Sequence, residues 1–290
     1  MRQTPPYVFM LCLFLSPATS ARVDLYVSVI PLKYITERVG GEHVEVKVMV
    51  QPGHSPVTYE PTPRQMVELS VANAYLRIGV PFESFWMEHI REANPELEII
   101  DVRTGIDPSL ITYSSLSPED HDKDNQRREE DPHIWLDPAL AGEIAKTVRN
   151  YLIRADQANS EGYRRNTGRF LKELEQLDTR IKNLFADLGN RRFLVFHPAW
   201  GYFARAYGLE QSVVEHEGKE PGPHALSKLV ELARRENIRT VFVQKQTSSM
   251  MANTLATEIG GQVVMLDPLA SDYIGNLITA ARAIAGANDP

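Results

Sequence analysis

Three short segments, far apart in the chain, each set a potential metal ligand among prolines and aromatics. They are Asp131-Pro132-His133-Ile134-Trp135-Leu136-Asp137-Pro138, Phe196-His197-Pro198-Ala199-Trp200-Gly201 and Met265-Leu266-Asp267-Pro268-Leu269. Two imidazoles and a carboxylate form a donor set that borderline divalent metals accept. Singly, each residue has a plain structural explanation, since Asp-Pro opens turns and helices and a His beside Pro and Trp is often a packed turn. Intervals of 64 and 70 residues between His133, His197 and Asp267 are far longer than those of a zinc finger, so the fold must gather these side chains.

The elements that would position them alternate along the chain. Strand-like runs at 23–29, 44–50, 74–78 and 97–102 are separated by helical patterns at 32–39, 62–71 and 82–92. Thr62-Pro63-Arg64-Gln65 carries a capping Thr, a Pro at the first helical position and a Gln three residues after the cap. Between residues 159 and 188 there is no proline, and Tyr163, Phe170, Leu174, Leu177, Ile181, Leu184 and Leu188 fall on one stripe. The stripe predicts a helix up to about 45 Å long. Beyond it, strands at 193–196, 240–243 and 262–266 alternate with helices at 199–207, 225–236, 250–259 and 272–285. The expected fold is α/β with two lobes, each a mainly parallel sheet flanked by helices, joined by one long rigid helix. The boundaries expected are 21–155, 156–188 and 189–290. His197 and Asp267 each follow a strand directly, at the carboxyl edge where open α/β sheets bind ligands, and His133 comes from the other half of the chain.

Composition narrows the setting. Residues 1–20 have a basic start at Arg2, an apolar stretch from Tyr7 to Leu15 and small residues at a cleavage point, which reads as a secretory signal peptide rather than a membrane span. Its Cys12 is the chain's one cysteine. The residues before it are not those of a lipidation signal, so simple cleavage and periplasmic export are expected. The mature chain then has no thiolate, and any metal must be held by nitrogen and oxygen. Removing residues 1–20 takes away Arg2 and no carboxylate, moving the formal charge from −7 to −8. An acidic, evenly mixed surface excludes nucleic acid and anionic membrane as partners on charge grounds. Residues 114–131 are dense in charge and lack apolar period; they read as a surface loop, with cation collection through His121 as the second reading. Glu215-His216-Glu217 and His224 lie in a Gly/Pro-bearing stretch and read as surface loop before they read as a second metal cluster.

Taken together, Pro52-Gly53, Pro56-Val57-Thr58-Tyr59-Glu60-Pro61-Thr62-Pro63, the Asp131–Pro138 segment, Phe196–Phe203, Glu220-Pro221 and Leu266-Asp267-Pro268-Leu269 resemble the periplasmic zinc- and manganese-binding subunits of ABC-type metal importers. The resemblance implies one divalent metal, carried as cargo in the interlobe cleft, and delivery to a membrane permease by a monomer. It implies His133, His197 and Asp267 as ligands. The family's fourth ligand is a His where this chain has Val57, which cannot bind a metal. His54, three residues earlier in a loop that Gly53 and Ser55 make adaptable, is the expected substitute; a water, or a site altered toward another ligand, are the alternatives. Histidine at position 197 and the imidazole-rich set favour Zn2+ over Mn2+. An open-site zinc hydrolase is the rival class, with Glu60 as its nearest base, but no His-Glu-x-x-His motif is present. An adhesin or metal chaperone on the same fold is the third class.

Overall fold

The computed structural model describes residues 22–106, 114–115, 131–215, 220–246 and 249–287. The segment read as a signal peptide, with Cys12, lies outside them, as do His121, His216 and Glu217.

The first lobe is a four-stranded parallel sheet built from β1 (Val23–Val27), β2 (Val44–Val48), β3 (Ala74–Arg77) and β4 (Glu98–Asp101), in the order β2-β1-β3-β4. Helix α1 (Ile30–Gly40) ends where Gly41 adopts φ 59°, a left-handed conformation that costs a residue without Cβ little. Helix α2 (Pro63–Leu69) starts on the capping box expected of its sequence: the Thr62 hydroxyl accepts from the Gln65 amide, and the Gln65 side chain accepts from the Thr62 N–H. Helix α3 (Pro81–Ala93) buries Phe82, Met87 and Ile90.

After this lobe, β5 is the two-residue strand Ser114–Ser115, and α4 runs over Pro138–Ala155 from an Asp137 cap whose carboxylate accepts from the Ala139 amide at 2.8 Å. Helix α5 (Ser160–Leu184) has 25 residues, about 37 Å, and buries Tyr163, Phe170, Leu174, Leu177 and Ile181 as the stripe requires. It stops at Leu184, four residues short of the last stripe position, and Leu184 itself is exposed.

The second sheet contains β6 (Arg192–Val195), β7 (Glu210–Val213), β8 (Thr240–Val243) and β9 (Gln262–Met265), ordered β5-β7-β6-β8-β9 and parallel throughout. Around it lie α6 (Gly201–Ala206), α7 (Pro223–Arg235), α8 (Ser249–Glu258) and α9 (Tyr273–Ala287). Two features depart from the sequence reading. Strand β7 was not expected, because Gln211 and Ser212 break the apolar run although both are buried. The segment read as surface loop contributes β5 to the second sheet at one end and the buried Asp131 at the other.

One apolar core runs from Leu25 and Leu76 in the first sheet, through Phe170 and Leu174 of α5, to Phe193, Phe203 and Leu266 in the second lobe and Leu277 of α9. A smaller cluster, including Leu194, Leu229, Val241 and Leu255, lies under α7 and α8. Because the large core is continuous across both sheets and the long helix, the lobes cannot part without exposing apolar surface. Small-angle scattering with and without saturating zinc should therefore show no resolvable change in radius of gyration; a clear compaction would establish a hinge.

Candidate metal centre

His133 lies in the connection that leads into α4, just ahead of a single helical turn over Ile134–Leu136. The turn is anchored by Trp135, which is fully buried and donates its indole N–H to the Pro268 carbonyl at 2.8 Å. The Trp135 carbonyl accepts in turn from the Tyr273 hydroxyl at 2.6 Å. Asp131, read from sequence as the tail of a charged loop, is instead 1 % exposed at its side chain, and its Oδ1 receives both the His133 backbone N–H at 2.9 Å and its Nδ1 at 2.7 Å.

His197 follows β6, and its Nδ1 meets the Glu215 carboxylate. Strand register accounts for this contact. Val195 pairs with Val213 in parallel β6 and β7, so residues 197 and 215 stand opposite each other two positions farther on. The Glu215 amide still donates to the Phe196 carbonyl at 3.1 Å, which carries the alignment past the strand ends. Glu215 is thus one wall of the site and not the surface-loop residue its neighbours suggested.

The two imidazoles, side chains 14 % and 19 % exposed, meet edge to face with ring centroids 5.4 Å apart. Each has its Nδ1 against a carboxylate, which only accepts when ionised, so Nδ1 is the donor and Nε2 is the ring nitrogen left over for a metal. This is the carboxylate–histidine arrangement that orients imidazoles toward a metal. Its spacing fits as well: two rings bound at about 2.0–2.1 Å around a tetrahedral zinc have centroids about 5.2 Å apart. The remaining Asp131 oxygen, Oδ2, is buried without a hydrogen-bond partner. A cation on His133 would compensate that buried charge through the ring.

Asp267 follows β9. Its Oδ1 accepts from the Leu269 amide at 2.9 Å, and its Oδ2 lies 3.0 Å from the Lys245 ammonium. His54 is exposed and rests edge-on against Tyr59, ring centroids 5.6 Å apart, while Tyr59 packs on Phe82. Val57 is 47 % exposed. Of the four ligands expected, the structure brings His133 and His197 together, ties Asp267 to a lysine and leaves His54 on an aromatic of its own loop. Among the described residues, no three His, Cys, Asp or Glu side chains are grouped as they would be around a metal ion. Asp131, Glu215 and Lys245 escape a sequence reading because their roles depend on strand pairing and on a turn, neither of which leaves a motif.

Comparison with known proteins agrees with this architecture. Residues 25–287 match the family described as the periplasmic component A of the zinc-uptake complex, ZnuA. A crystal structure of a ZnuA superposes with a TM-score of 0.85 at 39 % identity, covering 92 % of this chain and all of the other. The high-affinity zinc uptake system protein ZnuA of Bacillus subtilis is 25 % identical over 243 residues, 82 % of this chain and 76 % of that protein. The zinc-binding lipoprotein AdcA of Streptococcus pneumoniae is 23 % identical over 254 residues, 86 % of this chain; the chain spans about half of AdcA, 50 % of its length.

Proposed function

The chain belongs to the family of periplasmic component A of zinc-uptake complexes, and on that footing we propose that it is an extracytoplasmic solute-binding protein that captures one zinc ion between its lobes and hands it to the permease of an ABC importer. The observation that carries this reading is the pair of imidazoles, 5.4 Å apart, each with its Nδ1 committed to a carboxylate. His133 and His197 supply two nitrogen donors, and Asp267 supplies an oxygen once Lys245 withdraws. Nitrogen-rich ligation favours zinc over manganese as cargo. On this reading the protein acts as a monomeric carrier, and Glu60, named as the base of the rival hydrolytic reading, lies exposed beside Tyr59 in the loop leading to α2. No described helix is long and apolar enough to cross a membrane. Export through the signal peptide at 1–20 delivers the chain to the permease.

The fourth coordination position distinguishes this chain from the pattern it resembles. With Val57 in place of the usual ligand, His54 moves off Tyr59 to complete the shell. Isothermal titration of tag-free protein should give one zinc per chain. His54→Ala should weaken binding, whereas Val57→His should tighten it and make His54 dispensable, since an imidazole then replaces a labile ligand. A chain that takes up no zinc would overturn the carrier reading. If His54→Ala binds as tightly as the parent, a water completes the shell and the three-ligand core stands.

A further inference from the structure

Lys245 sits where a metal ligand should be free. Val243 and Met265 are the last register partners of parallel β8 and β9, so Lys245 and Asp267, each two residues farther on, face each other at the carboxyl edge of the sheet. Their Nζ–Oδ2 distance is 3.0 Å, with the Asp267 side chain 13 % exposed and that of Lys245 61 % exposed. The Asp267 Oδ1 accepts from the Leu269 amide at 2.9 Å in the turn that follows β9, so Oδ2 is the less engaged by the backbone, and Oδ2 is the one that Lys245 covers. An Asp oxygen binds zinc at about 2.0–2.2 Å, so an ammonium at hydrogen-bond distance from the same oxygen would stand about 4–4.5 Å from the dication. Their repulsion at that separation sets the two cations in competition for the oxygen.

We propose that Lys245 is a built-in competitor for the cargo: its ammonium neutralises Asp267 in the metal-free protein, leaves when zinc binds, and by returning promotes release. The inference rests on Asp267 being a zinc ligand, as in the reading above. The side chain is suited to the task. Lysine is a compact, strongly hydrated point charge on a flexible stem, so its head group passes into water at small cost, whereas a bidentate arginine would hold the carboxylate more firmly. The pairing keeps a poorly hydrated carboxylate compensated while the site waits, and it sets an upper limit on affinity that suits a carrier which must surrender its cargo.

The test is zinc affinity by competition with a chelator, and zinc release by stopped flow, on the full chain and four variants: Lys245→Met, Lys245→Arg, Asp267→Ala and Lys245→Met with Asp267→Ala. Lys245→Met should bind zinc roughly tenfold tighter and release it correspondingly more slowly, because a competing ion pair and a nearby like charge are both removed. Lys245→Arg should bind no tighter than the parent. The gain from Lys245→Met should largely disappear in an Asp267→Ala background, which separates competition at that carboxylate from general repulsion. A lysine that only supports the fold would lose affinity on replacement, not gain it. If the parent binds zinc one to one and Lys245→Met binds it equally or more weakly, or gains equally without Asp267, this inference fails while the carrier reading stands. If the parent binds no zinc, the carrier reading fails and takes this one with it.

Discussion

Replacing His197 by Ala is expected to reduce zinc affinity by more than about a hundredfold, because a ligand and its preset orientation disappear together. Removing only an outer partner of a metal-bound histidine costs about 10–100-fold. Replacing Glu215, which holds the His197 Nδ1, is therefore expected to fall in that lower band. Glu215→Ala removes both acceptor and charge and should lie at its severe end; Glu215→Gln keeps an acceptor oxygen and should lose less. The ordering, parent tighter than Glu215→Gln, then Glu215→Ala, then His197→Ala, is read by calorimetry on metal-stripped protein. Unchanged affinity in His197→Ala would remove His197 from the site. A Glu215→Ala variant that binds like the parent would mean the carboxylate does not orient the ring.

Glu215 also marks the limit of what the sequence disclosed. Local signals translated directly into structure: Thr62 and Gln65 cap α2 reciprocally, Asp137 caps α4, and the apolar stripe from Tyr163 to Ile181 is the buried face of α5. Each of these depends on residues within a few positions, or on one helical period, and so is written locally. Strand β7 was hidden because its interior is polar and still buried. Ser212 is fully buried, and the Gln211 side-chain oxygen is spent on the Trp200 backbone N–H at 2.7 Å. A strand that buries such polar side chains, with Gln211 Nε2 and Ser212 Oγ left without a hydrogen-bond partner among the described residues, shows no apolar alternation to read. Without β7 there is no register to set residue 215 against residue 197, and Glu215 falls back among its charged neighbours. Lys245 was missed although both β8 and β9 were expected, since only their pairing sets it against Asp267. Asp131 differs: the sequence reading placed it both at the end of the charged run and at the head of the Asp131–Pro138 segment but gave it no role, whereas its hydrogen bonds belong to the turn after it. The three ligand candidates could be nominated from sequence because each stands beside a proline. Glu215 and Lys245 could not, because their contacts with His197 and Asp267 are a relation between strands.

Trp135 is the residue whose loss should cost the fold most. It is fully buried, its indole N–H is bonded to the Pro268 carbonyl, and its own carbonyl takes the Tyr273 hydroxyl. Trp135→Ala should lower stability by about 3–5 kcal/mol from lost apolar burial together with the cavity left behind. The Pro268 carbonyl would also lose its indole donor, so Trp135→Ala should be less stable than His197→Ala, Glu215→Ala or Lys245→Met. Trp135→Phe separates the two contributions. It keeps most of the ring and loses the indole donor, and should cost about 1–3 kcal/mol, read as a shift of the urea midpoint at unchanged slope on metal-free protein. The functional consequence follows from position. Trp135 lies two residues beyond His133, and Pro268 lies one beyond Asp267, so this hydrogen bond fastens together the two segments that carry the ligand candidates His133 and Asp267. Trp135→Phe should remain folded at 25 °C and yet bind zinc more weakly than the parent, because the gap between donors is no longer fixed. Equal zinc affinity in a folded Trp135→Phe protein would show that the two segments are held in place by other contacts, and that Trp135 serves the core alone.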